Sequence, residues 1–162
     1  MQRQGDSRVN TVMKINEIIS PSDFESWFAG SQLTNPDGSP MALYHGTKAP
    51  ENLEFSDRGT GERGEMLGSG IYLTNSRDYA SRFGHPVPFY VSAKRLMREG
   101  DRDAEAAWEK DRRGYFDRFL GRYARQHGYD GIIGNLGIFG GIRAFQVVVF
   151  SPEQVHRVTD QI

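Results

Sequence analysis

The sequence predicts an α+β domain built largely from antiparallel strands. Three observations indicate this class: strand-like stretches outnumber helical ones, no internal repeat is present, and strands do not alternate regularly with helices. The chain has 162 residues, 37% of them hydrophobic, which is enough for one domain with a sizeable core. We assign residues 21–162 to that domain and residues 1–20 to an N-terminal tail or arm.

Composition excludes several classes of function. The chain has no cysteine, which removes disulfides, thiolate zinc sites and cysteine nucleophiles. Its net charge is -1, so no overall field draws it to nucleic acid or to a membrane. No apolar run is long enough to span a bilayer, and the N-terminus lacks the apolar core of a signal peptide. We therefore expect a soluble cytoplasmic monomer.

Two helical segments are predicted near the start of the chain. Residues 12–19 carry apolar side chains at spacings typical of a short helix or arm. The next helix begins at Pro21, with Ser22 as its N-cap and Glu25 completing a capping box, and it ends at Gly30.

A strand and a loop follow that helix. A turn over residues 35–38 leads into a strand over residues 41–44, with His45 as its last position. Residues 52–55 fit a second, short strand. Residues 56–69 contain four glycines and no periodicity, which indicates a surface loop that could act as a lid.

The middle of the chain alternates between strand and helix. Residues 70–74 form a predicted strand, and Asn75 or Ser76 caps a short helix that runs to Phe83. A strand over residues 87–91 follows.

Residues 101–126 form the longest helical stretch, with a predicted break at Gly114 or Gly121. Core packing is the expected role of its apolar stripe, and a cofactor contact is the alternative. The stripe consists of Trp108, Tyr115, Phe116, Phe119, Leu120 and Tyr123.

The C-terminal part is predicted to be a strand pair with an added edge. A strand begins at residues 131–133, a glycine-rich turn occupies residues 135–141, and a strong strand covers residues 144–150. Residues 155–158 fit an edge strand beyond Pro152.

Four short blocks resemble the ADP-ribosyltransferase domains of phage and mobile-element polyvalent proteins. They occur in the family's order and span about residues 24–158. The blocks are Phe24-x-x-Trp27-Phe28-x-x-Ser31 with Asp37-Gly38-x-Pro40 and Tyr44-His45-Gly46-Thr47, then Gly70-Ile71-Tyr72-Leu73-Thr74, then Gly128-Tyr129-Asp130-Gly131-Ile132, and finally Gln146-Val147-Val148-Val149-Phe150-x-Pro152-x-Gln154-Val155.

The resemblance implies a fold of two small antiparallel sheets that enclose a cleft for NAD, with flanking helices. It also implies roles for residues around the first block. His45 resembles the histidine that holds the adenosine-side ribose. Gly46 matches the position whose backbone pairs with the nicotinamide amide, and Thr47 assists it. Neutral imidazole suits ribose hydroxyls, and a glycine lets the amide come close.

The second block is implied to hold the nicotinamide ring. Gly70 belongs to the NAD-binding set, and Tyr72 resembles the aromatic residue that stacks on nicotinamide. Phe83, 11 residues further on, is the candidate for a second stacking aromatic, with Tyr79 as the alternative. Aromatic faces suit a flat cation.

Gln146 departs from the best-known pattern of the family, which places a glutamate there. The glutamate holds the 2′-hydroxyl of the nicotinamide ribose and faces the positive charge that develops as nicotinamide leaves. Glutamine keeps the hydrogen bond but supplies no negative charge. Glu153 lies beyond the strand and is interpreted as a surface residue, and the paired-glutamate signature of arginine-modifying members is absent.

The resemblance therefore implies a mono-ADP-ribosyltransferase, with NAD as co-substrate, no metal, and His45, Tyr72 and Gln146 as catalytic residues. The acceptor would be a protein or a nucleic acid, and the role that of a toxin or phage-delivered modifier in a host cytoplasm. A non-catalytic NAD-binding module and an NAD-dependent RNA 2′-phosphotransferase are the alternatives. Arg58 and Arg63 are solvated loop residues or phosphate contacts.

Overall fold

The computed structural model describes residues 13–14, 20–55 and 67–159. The strands within these ranges are β1 (Met13–Lys14), β2 (Leu43–Thr47), β3 (Glu54–Phe55), β4 (Ile71–Thr74), β5 (His85–Val91), β6 (Leu96–Arg98), β7 (Gly131–Phe139), β8 (Ile142–Val149) and β9 (Val155–Arg157). The α-helices are α1 (Pro21–Phe28), α2 (Arg77–Ala80), α3 (Arg102–Asp111) and α4 (Phe116–Gln126), and 3₁₀ turns occupy Pro50–Asn52, Ser81–Phe83 and Pro152–Gln154.

Several predictions fall largely outside these ranges. The tail over residues 1–11 and most of the loop over residues 56–69, including Arg58 and Arg63, belong to the part that is not described. Of the predicted arm over residues 12–19, two residues are described, and they form β1 rather than a helix.

The sheets differ from the predicted pair of small antiparallel sheets, so that prediction is wrong although the α+β class is correct. Seven strands form one mixed sheet in the order β6-β7-β8-β4-β2-β5-β9, and β1 pairs with β3 in a separate ribbon. The sheet is mixed because β6 and β7 run parallel. It is continuous because Tyr44 of β2 pairs with Thr74 of β4. That is the single register pair between these two strands, whereas five pairs join β2 to β5.

The two faces of the large sheet carry two cores. Neighbouring residues of a strand point to opposite faces, and Val147 and Val148 accordingly belong to different clusters. The first cluster is Leu33, Leu43, Phe55, Ile71, Leu73, Val87, Phe89, Val91, Ala93, Val147, Val149 and Val155. The second is Leu67, Met97, Ala104, Leu120, Ala124, Ile132 and Val148.

Helices cover the second face at both ends. At one end, α3 and α4 contribute Ala104, Leu120 and Ala124 to the second cluster. At the other end, α1 packs the ring of Phe24 against Tyr90 of β5, with ring centroids 5.5 Å apart. Between them, α2 and the turn Ser81–Phe83 contact β2, and α2 also contacts β4. In the described part of the chain, no helix is long and apolar enough to cross a bilayer.

Local predictions at the helices need two corrections. The N-cap of α1 is Ser20 rather than Ser22, because the Ser20 hydroxyl accepts the Asp23 N–H and Pro21 opens the helix. The predicted break in the long helical stretch is confirmed at Gly114, between α3 and α4, whereas Gly121 lies inside α4. The apolar stripe of this stretch belongs only partly to the core, since Tyr115 is 68% exposed and Phe116 is 38% exposed.

The strands also extend further than their apolar patterns suggested. Strand β2 continues through His45 to Thr47 because all five of its residues pair with β5. The region predicted as a glycine-rich turn over residues 135–141 is mostly strand, and the chain reverses at Gly140 and Gly141. The predicted edge strand is confirmed as β9, which pairs with β5.

Candidate functional site

A row of four residues crosses the second face of the sheet at its centre. Tyr44 pairs with Thr74, Thr74 with Gln146, and Gln146 with Gly134. Residues that pair directly across antiparallel strands point to the same face, with Cβ atoms about 4.5–5.5 Å apart. The row therefore brings Gln146 beside the seam where β2 meets β4.

Tyr72 lies on the same face as Gln146. It precedes Thr74 by two residues and pairs with Val148 of the second cluster. Tyr72 and Gln146 are thus diagonal neighbours, at a typical separation of about 7–8 Å. The Tyr72 hydroxyl donates to the Gly68 carbonyl and accepts the Leu67 N–H at 2.9 Å. Anchoring at its far end fixes the plane of this half-buried ring.

The Gln146 side chain is buried and has no hydrogen-bond partner among the described residues. Only 5% of the residue is exposed. Among the described residues, the fully enclosed polar side-chain atoms without a partner are His156 Nε2 and Thr159 Oγ1, so the Gln146 amide still reaches solvent. Buried polar groups are normally paired with protein or with water. An amide with no protein partner at the centre of the shared face therefore indicates a place where a ligand's polar groups could replace water.

Gly46 presents backbone groups to the seam. Its partner on β5 is Pro86, which has no N–H to donate, and Tyr44, two residues earlier, pairs with β4. Alternation along an antiparallel strand then directs the Gly46 N–H and C=O toward β4. No register pair joins β2 and β4 beyond Tyr44–Thr74. The Gly46 N–H and C=O therefore have no partner strand at this point and can bind another group.

Phe83 lies directly against Gly46. A Cβ added to Gly46 would meet the Ala80 carbonyl oxygen at 2.0 Å and the Phe83 Cβ at 2.9 Å. The absence of a side chain at residue 46 is therefore what lets the turn carrying Phe83 pack onto β2. Phe83 is 39% exposed, which leaves much of its ring available to a ligand.

Tyr79 has a different neighbour. Its ring stands edge-on to Phe139 with centroids 5.0 Å apart, and Arg82 lies 4.5 Å from the centroid of Phe139. These contacts fasten α2 to the β7–β8 hairpin. Of the two alternatives for the second stacking aromatic, Phe83 is the one that adjoins Gly46.

His45 occupies the seam from the other face of the sheet. It pairs with Val87 of the first cluster, and its ring stands edge-on to Phe55 at 4.8 Å. The His45 Nδ1 lies 2.8 Å from the Tyr72 carbonyl oxygen. A carbonyl can only accept, so Nδ1 carries the proton and Nε2 of a neutral ring is an acceptor. His45 thus bridges β2 and β4 where the ladder stops, instead of sharing the face of Tyr72 and Gln146.

Thr47 and Gly70 have structural contacts of their own. The Thr47 hydroxyl accepts the Ala49 N–H at 3.1 Å, which shapes the exit from β2. A Cβ at Gly70 would lie 2.5 Å from Val148 Cγ2, so the glycine permits a close approach to β8. The predicted ligand roles of both residues stay predictions.

A carboxylate that was not predicted from the sequence lies next to this site. A Cβ at Gly134 would lie 2.1 Å from Glu99 Oε2, so the Glu99 side chain occupies the space that Gly134 leaves, directly opposite Gln146. Glu99 follows β6, a three-residue strand that the sequence analysis did not predict. A period-2 pattern is hard to recognise over three residues, and parallel pairing leaves no local turn signal.

A separate hollow of about 530 Å³ lies beside α1, lined by residues that include Phe24, Phe28, Ser31 and Tyr90. None of the predicted site residues lines it, whereas Gln146 and Tyr72 lie together at the centre of the sheet. Within the described ranges, no group of three or more histidine and carboxylate side chains is arranged to hold a metal ion.

Comparison with known families gives one match. The sequence profile of a family described as ADP-Ribosyltransferase in polyvalent proteins matches residues 35–162, which is most of the chain. No curated protein matches the sequence. The matched range includes every predicted site residue and confirms the resemblance inferred from the four blocks.

Proposed function

The chain belongs to the family of ADP-ribosyltransferases found in polyvalent proteins, and we propose that it is an NAD-dependent mono-ADP-ribosyltransferase acting on a protein or nucleic-acid acceptor. The observation that carries the proposal is the position of Gln146, a buried residue at the centre of the shared face whose amide has no hydrogen-bond partner among the described residues. In this family's chemistry, that position faces the ribose next to nicotinamide. A hydroxyl of that ribose would supply the hydrogen bond that the Gln146 amide does not make within the described chain.

Nicotinamide binding is assigned to Tyr72, Phe83 and Gly46. The aromatic residues offer π faces to a flat cation, on the face of the sheet that carries Gln146. The Gly46 N–H and C=O point into the seam, and a carboxamide needs one donor and one acceptor of this kind.

The adenosine-side ribose is assigned to His45. The Tyr72 carbonyl holds Nδ1 as the protonated nitrogen, which makes Nε2 the acceptor for a ribose hydroxyl. The same bond ties the imidazole to the strand that carries Tyr72. One hydrogen bond therefore couples the two parts of the proposed NAD site.

The reaction breaks the bond between C1′ of the ribose and the pyridinium nitrogen. The bonding electron pair goes to that nitrogen, neutral nicotinamide leaves, and the positive charge passes to the ribose as an oxocarbenium ion. The acceptor adds a lone pair to C1′ and releases its proton to solvent. The Gln146 Oε1 accepts from the 2′-hydroxyl and orients the ribose for this displacement.

The test is incubation of the protein with adenylate-labelled NAD and whole-cell lysate. We expect nicotinamide release together with label that either protease or nuclease removes, which also identifies the acceptor class. Gln146→Ala should lower nicotinamide release roughly ten- to a hundredfold, as expected for loss of one orienting hydrogen bond. Gln126→Ala, at the exposed end of α4, is the matched control and should retain full activity.

Equal rates for wild type and Gln146→Ala, or no release from either, would refute the transferase proposal. A specific observation supports a second candidate, a module that binds NAD without turnover: position 146 carries an uncharged amide. Saturable NAD binding by calorimetry, with no nicotinamide released in any lysate, would select that candidate.

A further inference from the structure

We propose that Glu99 belongs to this site and supplies the negative charge that Gln146 lacks. The inference rests on the proposed function, because it assigns the charge to the ribose that becomes cationic. It departs from the expectation that one side chain at the Gln146 position both holds the ribose and stabilises its charge. In this chain the hydrogen bond and the charge come from two different strands.

The geometry at Gly134 places the carboxylate. Gln146 and Gly134 pair directly, so a Cβ at Gly134 would be about 4.5–5.5 Å from that of Gln146. Glu99 Oε2 lies 2.1 Å from that Cβ position. The carboxylate is therefore within roughly 8 Å of the Gln146 Cβ, on the same face of the sheet. Only glycine at residue 134 leaves room for it there.

The backbone holds Glu99 in this position. The Glu99 N–H donates to the Ile133 carbonyl at 2.8 Å, one residue before Gly134. That bond continues the parallel ladder in which Arg98 pairs with Ile133. Glu99 is an exposed turn residue directly after β6, and this bond ties its backbone to β7 beside the glycine gap.

The two side chains complement each other. Among the described residues, neither the Glu99 carboxylate nor the Gln146 amide has a hydrogen-bond or ion-pair partner. A carboxylate only accepts, so it favours an amide whose Nε2 points toward it. The Gln146 Oε1 then points away from Glu99 and toward a ribose hydroxyl. Glu99 would in this way orient the Gln146 amide and also supply a negative charge to the site.

The charge acts on the step that breaks the glycosidic bond. As the electron pair moves to the pyridinium nitrogen, positive charge moves onto the ribose ring. Glu99 is exposed, so water screens its charge in part, and a carboxylate several ångströms away still lowers the energy of that state. Glu99 forms no covalent bond and transfers no proton in this step.

The first measurement compares Glu99→Gln with wild type in nicotinamide release. Removing the charge should lower kcat by about ten- to a hundredfold, as expected for a single charge at this range in a partly screened site. Glu153→Gln removes a carboxylate from an exposed residue outside the site and is the matched control. It should keep the wild-type rate.

A second pair of variants separates charge from structure. Gly134→Ala should displace the carboxylate without removing it, because its Cβ would meet Glu99 Oε2. It should lower kcat in the wild-type background and have little further effect in Glu99→Gln. The double variant Glu99→Gln, Gln146→Glu moves the carboxylate to the neighbouring position, and it should regain most of the lost activity. A merely structural role for Glu99 would give neither result.

A binding measurement keeps the inference testable without turnover. NAD carries a positive pyridinium ring, whereas the ring of NADH is neutral. Wild type should prefer NAD over NADH more strongly than Glu99→Gln does, in calorimetric titrations of both dinucleotides. An unchanged preference and an unchanged kcat would overturn the role of Glu99 even if the enzyme is active. Absence of turnover with a changed preference would refute the transferase proposal alone, and absence of binding to either dinucleotide would refute both.

Discussion

Two glutamines near the end of the chain, Gln146 and Gln154, have opposite hydrogen-bond environments. The Gln154 side chain uses both ends of its amide. Its Oε1 accepts from the N–H groups of Phe150 and Ser151, and its Nε2 donates to the carbonyls of Ser92 and Asp130. The Gln146 side chain is more deeply buried, yet it makes no hydrogen bond within the described residues.

This difference in hydrogen bonding indicates that the two interior amides have different roles, one in the fold and one in binding. Gln154 satisfies backbone groups where β8 ends and ties them to the segments before β6 and β7, so its role is in the fold. The Gln146 side chain makes no hydrogen bond to the described chain, although its backbone pairs with β4 and β7. An amide of this second kind is expected to contribute to binding rather than to stability. Substitutions at the two positions should therefore affect different properties.

The largest effect is expected from Gln154→Ala. It removes the partner of two backbone N–H groups and two carbonyls, and leaving partly buried groups unsatisfied should lower the free energy of unfolding by about 3–5 kcal/mol. Urea unfolding followed by circular dichroism measures this. Gln126→Ala, in an exposed position on α4, should change the free energy of unfolding by less than about 0.5 kcal/mol. A loss below about 1 kcal/mol for Gln154→Ala would remove the structural side of the comparison.

The intermediate effect is expected from Gln146→Leu. Leucine has a similar size and no unpaired polar atom, so the free energy of unfolding should stay unchanged or rise by about 1 kcal/mol. Nicotinamide release should fall at the same time. The same unfolding and release assays check both halves. A variant destabilised by more than about 2 kcal/mol would mean that Gln146 has a structural partner after all.

Part of this arrangement could be predicted from the sequence. Alternation along the strand places Gln146 with Ala144 and Val148 on one face, and both of those residues are buried in the structure. The four blocks indicated the family, which the profile match confirms. These features depend on local pattern or on resemblance.

The rest depends on pairing between distant segments. The glycines at 46 and 134 have local environments that no periodicity reveals, since one adjoins the Ala80 carbonyl and the other the Glu99 carboxylate. Thr74, Gln146 and Gly134 are paired across three strands, and long-range packing sets which residues of these strands stand opposite each other. Pairing with Val87 places His45 on the face opposite Tyr72 and Gln146, which no local pattern indicates.

The smallest effect on stability is expected at His156. This residue shows whether an unpaired buried polar atom is enough to indicate a ligand site. Its Nε2 is fully buried without a partner among the described residues, and its ring contacts Phe24 and Trp27 at 6.0 Å. No ligand could reach an atom enclosed in this way, unlike the Gln146 amide in the row beside the seam. We therefore interpret the His156 nitrogen as a feature of the packing between α1 and β9, with an effect on stability.

Burial lowers the pKa of His156 below its usual value, because the charged imidazolium loses its hydration. The unfolded chain then takes up this proton at higher pH than the folded chain does. The associated stability is present above about pH 6.5 and is lost as the pH falls toward the folded-state pKa. Urea unfolding at a series of pH values should show that His156→Gln weakens this decline, while His127→Gln, on an exposed residue, keeps it. Identical pH profiles for His156→Gln and wild type would mean that burial of this nitrogen carries no energetic consequence.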